Sequence, residues 1–257
     1  MTRPATFARH RAHYTGLVLL TAAAGWAWVA LRWGNMGPRT MAGDLPAFMG
    51  TWTIMMTAMM LPATAPVASL YARTAAVHRA PRMIAFTAGY VLVWAAAGLP
   101  AYALAVGADR VATTYPTAGT AVASAVFAIT GVYQLTTLKD RCLTHCRSPI
   151  GLMLRYASYR GPWRHLRAGA HHGAYCLGCC WSLMLLFAAF GVMNLWAMVA
   201  LATIVAAEKL LPRGPLVARV IGVTSLALAI AVFWLPLLAP NLTGSGTTGM
   251  QASVFFR

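Results

Sequence analysis

Seven apolar runs, each near the length that crosses a lipid bilayer, dominate the sequence. A membrane-spanning helix needs about 20 predominantly apolar residues. The runs lie at about residues 15–31, 47–71, 83–106, 118–138, 173–190, 193–211 and 216–238. The fifth and sixth runs are nearly continuous and are divided at residues 191–194, because the joined run is far too long for one span. The pattern predicts an all-α fold, a polytopic transmembrane helical bundle of about seven helices. The first run also has features of a signal peptide, but its apolar pattern continues to Leu31, so we expect it to be retained.

The basic residues predict how these helices are oriented. The chain holds 20 lysines and arginines against four acids, and charged residues make up only 9% of it. Most of the basic residues fall in the N-terminal tail and in alternate gaps between the runs. Because lysine and arginine collect on the cytoplasmic side of membrane proteins, we expect a cytoplasmic N-terminus and a C-terminus outside. Topology thus explains the charge, and we expect contact with membrane lipid and no nucleic-acid partner, which would need a basic stripe on a soluble face.

The segments outside the apolar runs are all short. We divide it into a basic cytoplasmic tail (1–14), a transmembrane domain (15–240) and a flexible extracytoplasmic tail (241–257). The longest cytoplasmic connection, 139–172, is shorter than the roughly 40 residues below which unaided folding is rare, so no nucleotide-hydrolysing motor is expected there. Apolar residues recur at helical spacing in this connection and predict an interfacial amphipathic helix; they are Ile150, Met153, Leu154 and Ala157. The alternative is a solvated connector whose arginines only fix the topology.

All five cysteines lie at the ends of two neighbouring apolar runs that face the same side. Cys142 and Cys146 follow the fourth run, and Cys176, Cys179 and Cys180 begin the fifth. The predicted topology places all five on the cytoplasmic face, where thiols are normally kept reduced. A helix N-terminus also favours the reactive thiolate, and spacings of three and four bring the second group together on one helix face. We therefore expect a thiolate metal site; the alternative is that each cysteine is a small buried hydrophobe.

Four methionines in the second run are further soft ligands: Met55, Met56, Met59 and Met60. Thioethers and thiolates are the ligands that select Cu(I). Counted from the outer border at 1.5 Å per residue, these methionines lie roughly 12 to 20 Å deep, near the midplane. Pro62 and Pro66 follow them, and we expect Pro62 to kink the helix or free a backbone carbonyl. The alternative is that the methionines fill gaps in the core.

An acidic residue and three histidines complete the candidate site. Glu208 is the only acid inside a predicted span, and intramembrane acids are functional candidates because they are costly to bury. The alternative is a border residue paired with Lys209 or an arginine. His145 lies between the first two cysteines, and His171 and His172 precede the fifth run, so they are candidate metal ligands or proton carriers. The alternative is that each is an interfacial residue.

Five motifs, in order, resemble a bacterial family of predicted metal-binding integral membrane proteins. They are MMTAMMLPATAP at 55–66, YQLTTLKDRCLTHCRSP at 133–149, CLGCCW at 176–181, GVMN at 191–194 and EKLLP at 208–212. The resemblance covers residues 52–214 and implies a multi-pass protein of the bacterial cytoplasmic membrane. Relatives of this family occur with a small extramembrane domain, so a metallochaperone or a small extramembrane metal-binding protein is the implied partner. One departure is Thr137, where the family pattern has proline.

These observations leave three hypotheses. The first is a membrane protein that binds a soft transition metal at cytoplasmic-face cysteines for handover or transport. Copper as Cu(I) is favoured and zinc or iron is the alternative. The second is a membrane thiol-disulfide redox enzyme, because two cysteines three residues apart stand at a helix start. The third is an assembly subunit of a larger membrane enzyme. No nucleophile-base triad, phosphate loop or pair of carboxylates occurs in the sequence, and we do not favour an enzyme.

Overall fold

The protein is all-α over the part of the chain that the structure describes. The computed structural model describes residues 20, 22–31, 44–74, 79–115, 118–191 and 194–243, and these contain no β-strand. The expected basic tail, the start of the first span and most of the expected C-terminal tail lie outside these residues. The helices are α1 (Ala22–Leu31), α2 (Leu45–Thr74), α3 (Arg79–Thr114), α4 (Ala118–Gln134), α5 (Thr137–Arg147), α6 (Pro149–Ala157), α7 (Arg164–Phe190), α8 (Leu195–Leu210), α9 (Gly214–Ala231) and α10 (Pro240–Thr243), with a 3₁₀ turn at Pro236–Leu238.

Four of these helices are long and apolar enough to cross a membrane, namely α2, α3, α7 and α9. The bent pair of α4 and α5 makes a fifth if it counts as one span. These lengths are consistent with a multi-pass membrane protein. The expected count of seven stays a prediction, since α8 has only 16 residues and the described part of α1 is shorter still.

Helices α2 and α7 form the interior of the bundle, and glycines let α7 approach its neighbour α3 closely. A Cβ on Gly89 of α3 would collide with the Leu166 carbonyl of α7, and a Cβ on Gly169 of α7 would collide with the Phe86 carbonyl of α3. Small residues allow two backbones to approach in this way, which is how helices pack in a lipid environment. The reciprocal glycines therefore fix the position of α7 and of the side chains that it carries.

The fourth apolar run ends earlier than its hydropathy indicates. We expected a helix over residues 118–138, but α4 ends at Gln134 and the chain turns by 62° before α5. The Thr136 hydroxyl caps α5 by accepting from the Lys139 backbone N–H at 3.2 Å. Thr137 is thus the first residue of α5, a position at which proline is also favourable. The threonine that departs from the family pattern is compatible with the same turn.

The connection at 139–172 is mostly helical. It consists of α5, α6 and the first turns of α7, which begins at Arg164 and not at 173 as expected. The expected amphipathic helix corresponds to α6 (Pro149–Ala157). Leu152 and Tyr156 are buried against the bundle, while Ile150 and Leu154 are 71% and 72% exposed. The expected division near residues 191–194 is present, since α7 ends at Phe190 and α8 begins after a cap by Asn194.

Candidate metal site

The five cysteines meet where α5 packs against α7. Cys176, Cys179 and Cys180 of α7 are almost fully buried, at 0 to 1% exposure, and Cys146 of α5 is 9% exposed. Cys142 is partly buried, and a Cβ on Gly178 of α7 would lie 3.2 Å from its sulfur. The two cysteine groups, separated by 30 residues of chain, are therefore neighbours in the fold. All five thiols are free.

Four of these cysteines are packed together. Cys179 and Cys180 both donate to the Cys176 carbonyl oxygen, at 3.1 and 2.8 Å, because a helix places residues three and four apart on one face. Cys146 of α5 belongs to the same buried cluster of side chains. The sulfur atoms are thus concentrated in one small, dry region, which we call the thiol cluster (Cys146, Cys176, Cys179 and Cys180).

A cation and a phenol contact the sulfur of Cys176. The Lys209 ammonium of α8 lies 2.8 Å from it, and the Tyr90 hydroxyl of α3 lies 3.0 Å away. Tyr90 is 1% exposed, so the contact is shielded from bulk solvent. A neighbouring ammonium favours the thiolate form of a cysteine, which is the form that binds metals. Cys176 therefore has a charged partner in addition to its apolar packing.

A buried ion pair lies beside the thiol cluster. The Lys139 ammonium of α5 is 2.6 Å from a carboxylate oxygen of Glu208 on α8, with the side chains 0% and 1% exposed. Gln134 donates to the other carboxylate oxygen at 2.8 Å, and Lys139 also donates to the Cys179 carbonyl. Glu208 is therefore paired with Lys139. One sequence alternative had paired it with Lys209. This network holds α4, α5, α7 and α8 together at one level.

Arg147 at the end of α5 binds the C-terminal end of α8. Its guanidinium donates to the Glu208 carbonyl at 2.5 Å and to the Pro212 carbonyl at 3.1 Å. The last carbonyls of a helix have no partner within the helix, so a basic side chain there satisfies them. This contact fixes the end of α8, and with it Glu208 and Lys209.

The four methionines of α2 are core residues. Their exposure is at most 3%, and they belong to the same buried apolar cluster as the thiol cluster. The helix continues through Pro62 and Pro66 to Thr74, so the expected interruption does not divide α2. The Thr64 hydroxyl donates to the Leu61 carbonyl at 2.8 Å, one of the local contacts beside Pro62. The burial of these methionines fits both alternatives, core packing and binding of copper.

The sulfur contacts described above do not involve the three histidines. His145 stacks on Tyr175, with ring centroids 3.8 Å apart, and its centroid lies 5.6 Å from that of His171. His172 is buried between Phe86 and Tyr90, with ring centroids 6.1 and 5.8 Å away. The structure thus places His145 against α7, where it contacts the rings of His171 and Tyr175.

A family comparison bears directly on what the soft ligands are for. A family model named PpoB2 and described as a copper chaperone matches residues 49–232. The chain belongs to this copper chaperone family. Membership supports copper handling in general terms and agrees with the metal-related family that the motifs resemble. Every candidate ligand, from Met55 to Glu208, lies inside the matched region. The comparisons with curated proteins and with solved structures gave no match.

The donor chemistry fits the copper of this family, although the side chains are not arranged around a common point. Within the described ranges, no three histidine, cysteine or acidic side chains form a set that could hold a metal ion. The thiols of Cys179 and Cys180 donate to backbone, and the Cys176 sulfur meets Lys209. Coordination by several of these sulfurs therefore requires rotation about their Cα–Cβ bonds. Thiolates in a dry pocket remain the ligand type that selects Cu(I).

Sequence reasoning missed the two lysines of the site. We assigned Lys139 to the topological charge and considered Lys209 otherwise only as a partner of Glu208. Lys139 is fully buried beside Glu208, and Lys209 contacts Cys176. One signal was available, because these are the only two lysines in the chain and every other basic residue is arginine. An ammonium is a compact point charge that suits a single partner atom, whereas arginine suits bidentate contacts. Tyr90 and Gln134 gave no comparable signal.

Proposed function

We propose that the protein is an integral membrane copper chaperone that binds Cu(I) at its cytoplasmic-face cysteines and hands it on. The observation that carries the proposal is the packing of four buried cysteines beside the Lys209 ammonium in a member of a copper chaperone family. Soft thiolates favour Cu(I) over harder ions, and burial protects Cu(I) from water and oxidants.

The residues have distinct roles in this proposal. Cys176, Cys179 and Cys180 supply thiolates from α7, and Cys142 and Cys146 supply them from α5. Lys209 compensates the negative charge of the thiolate while no copper is bound. The Lys139–Glu208 pair fixes the relative positions of α5, α7 and α8 around the sulfurs. Handover suits this arrangement better than pumping, because no domain for nucleotide hydrolysis is expected in the chain.

The methionines of α2 extend the soft surface towards the predicted midplane. They share a buried cluster with the thiols, so we propose that they accept copper from the cysteines or deliver it to them. A quadruple methionine-to-leucine variant should then keep its cysteine-bound copper but lose transfer across the membrane in proteoliposomes. Met198→Leu is the matched control, because Met198 is equally buried in the same cluster. Unchanged transfer in the quadruple variant assigns the methionines to packing.

The proposed partner is a small metal-binding protein outside the membrane that exchanges Cu(I) with the cysteines. Such a partner should pass copper to the wild-type protein in detergent, and a Cys176/Cys179/Cys180 triple serine variant should fail to accept it. Copper content measured after repurification gives the result directly. Ser182→Ala is a control on the same helix, since Ser182 is buried but carries no sulfur. Equal copper in wild type and triple variant would refute the cysteine site.

A further inference from the structure

Two imidazoles approach each other at the partly exposed side of the thiol cluster. The ring centroids of His145 on α5 and His171 on α7 are 5.6 Å apart, with the planes inclined at 66°. Both residues are partly exposed, whereas the thiols of α7 are fully buried. His145 directly precedes Cys146 in the chain, and Cys146 belongs to the same buried cluster as the cysteines of α7. The imidazole pair thus adjoins the thiol cluster and is more accessible than it.

Both rings carry a buried nitrogen that lacks a hydrogen-bond partner among the described residues. These atoms are Nε2 of His145 and Nδ1 of His171. Buried polar atoms nearly always have a partner, so an unpartnered atom indicates a ligand or an ordered water. His165, on the same helix, differs: one nitrogen lies 2.7 Å from the Tyr71 hydroxyl and the other accepts from Arg164 at 3.1 Å. His172 also has an unpartnered Nδ1, but that ring is buried, whereas His145 and His171 are both partly exposed.

Aromatic side chains hold the pair in place. Tyr175 stacks on His145 at 23° and lies 4.9 Å from His171, ring centroid to centroid. The Tyr156 ring is 5.9 Å from His171, and its buried hydroxyl also lacks a partner among the described residues. Burial raises the pKa of Tyr156, so its hydroxyl stays protonated. The Tyr156 hydroxyl is thus a third unsatisfied polar atom, on a ring that contacts His171.

The spacing of the rings suits two ligands on one metal ion. A metal–nitrogen bond of about 2.0 Å places two coordinated imidazole centroids about 5 to 6 Å apart, depending on the angle at the metal. The observed 5.6 Å falls in that interval. Zinc sites use three or four protein ligands, whereas the described residues supply no set of three histidine, cysteine or acidic side chains here. The site therefore favours Cu(I) over Zn²⁺.

We propose that His145 and His171 form an entry site that takes Cu(I) and passes it to the buried thiols. The inference rests on the proposed copper function and assigns His145 a ligand role apart from the cysteines. The transfer is a ligand exchange in which each copper–nitrogen bond that breaks is replaced by a copper–sulfur bond. Copper stays Cu(I) throughout, and each thiol that binds it releases its proton to water.

The entry site is tested first without the three thiol acceptors of α7. The Cys176/Cys179/Cys180 triple serine variant is exposed anaerobically to Cu(I) supplied as its bathocuproine disulfonate complex, and X-ray absorption identifies the ligands. We expect copper bound to nitrogen, and loss of that signal when His145→Leu and His171→Leu are added. His165→Leu, added to the same background, should leave the signal unchanged. Absence of nitrogen-bound copper in the triple variant overturns the entry site.

The second measurement follows loading of a chain with all its cysteines. The rise of copper–thiolate absorbance after mixing with Cu(I) should be slower by about tenfold or more in the His145→Leu/His171→Leu variant, the scale on which supporting groups change metal binding. Its final amplitude should equal that of wild type, which also shows that the variant is folded. If wild type and the double histidine variant load at equal rates and wild type forms copper–sulfur bonds, the entry site is refuted and the proposed function is not. No copper–sulfur bonds in wild type overturn the proposed function instead.

Discussion

Removing either member of the Lys139–Glu208 pair should destabilise the protein more than any surface charge change. The ammonium and carboxylate are 2.6 Å apart and at most 1% exposed. At that distance the Coulomb attraction is about 6 kcal/mol for an effective dielectric constant of about 20. Desolvation offsets much of this in the intact pair, but a single substitution leaves one buried charge alone. We therefore expect Lys139→Met and Glu208→Met each to cost about 3 to 5 kcal/mol.

The double variant distinguishes a buried pair from two independent charges. With both charges gone, no uncompensated ion remains, so Lys139→Met/Glu208→Met should lower the free energy of unfolding by less than either single change. About 1 kcal/mol of the remaining loss comes from Gln134, which loses its hydrogen-bond acceptor. Equilibrium unfolding in mixed detergent micelles measures all four corners of the cycle. Arg141→Gln is the control, since Arg141 is an exposed residue of the same helix. Single variants within about 1 kcal/mol of wild type, or additive losses, would refute the reasoning.

Three further predictions follow from the packing and the sulfur contacts. Lys209→Gln should slow alkylation of Cys176 by about tenfold or more, because a charge-assisted contact worth about 1.5 to 3 kcal/mol is lost. An unchanged rate would show that Lys209 does not stabilise the thiolate. Gly169→Ala should lower the free energy of unfolding by about 1 to 3 kcal/mol, because the added methyl group collides with the α3 backbone. Gly50→Ala is the control and should not lower the free energy of unfolding, because Gly50 of α2 has open space beside it. Thiol trapping in cells should find all five cysteines reduced; a reversible disulfide between Cys176 and Cys179 would instead support the redox enzyme hypothesis.

The apolar runs predicted the positions of the long helices because hydropathy is a local property. Helices α2 and α3 cover the second and third runs, and α9 begins close to the seventh. The turn after Gln134 was not predictable in this way, since apolar residues continue across it to Leu138. The early start of α7 was also missed. Its polar first turns are helical because they pack on α3 through Gly169, which a hydropathy pattern does not record.

The cysteines of the site were predictable from the sequence, but the residues that contact them were not. Cysteine spacing and topology placed Cys142 and Cys146 on the same side as the cysteines of α7, and the structure brings the two groups together. The partners of these groups depend on tertiary packing. Charge counting treats each lysine as a surface charge, so it could not reveal that Lys209 reaches Cys176 or that Lys139 is buried.

X-ray absorption at the copper edge of the purified, Cu(I)-loaded protein tests the central claim most directly. The account predicts a nearest shell of sulfur in wild type, lost in the Cys176/Cys179/Cys180 triple serine variant and retained in Ser182→Ala. It would be contradicted by wild-type protein that holds no copper, or by a copper shell that stays unchanged when the three thiols are removed.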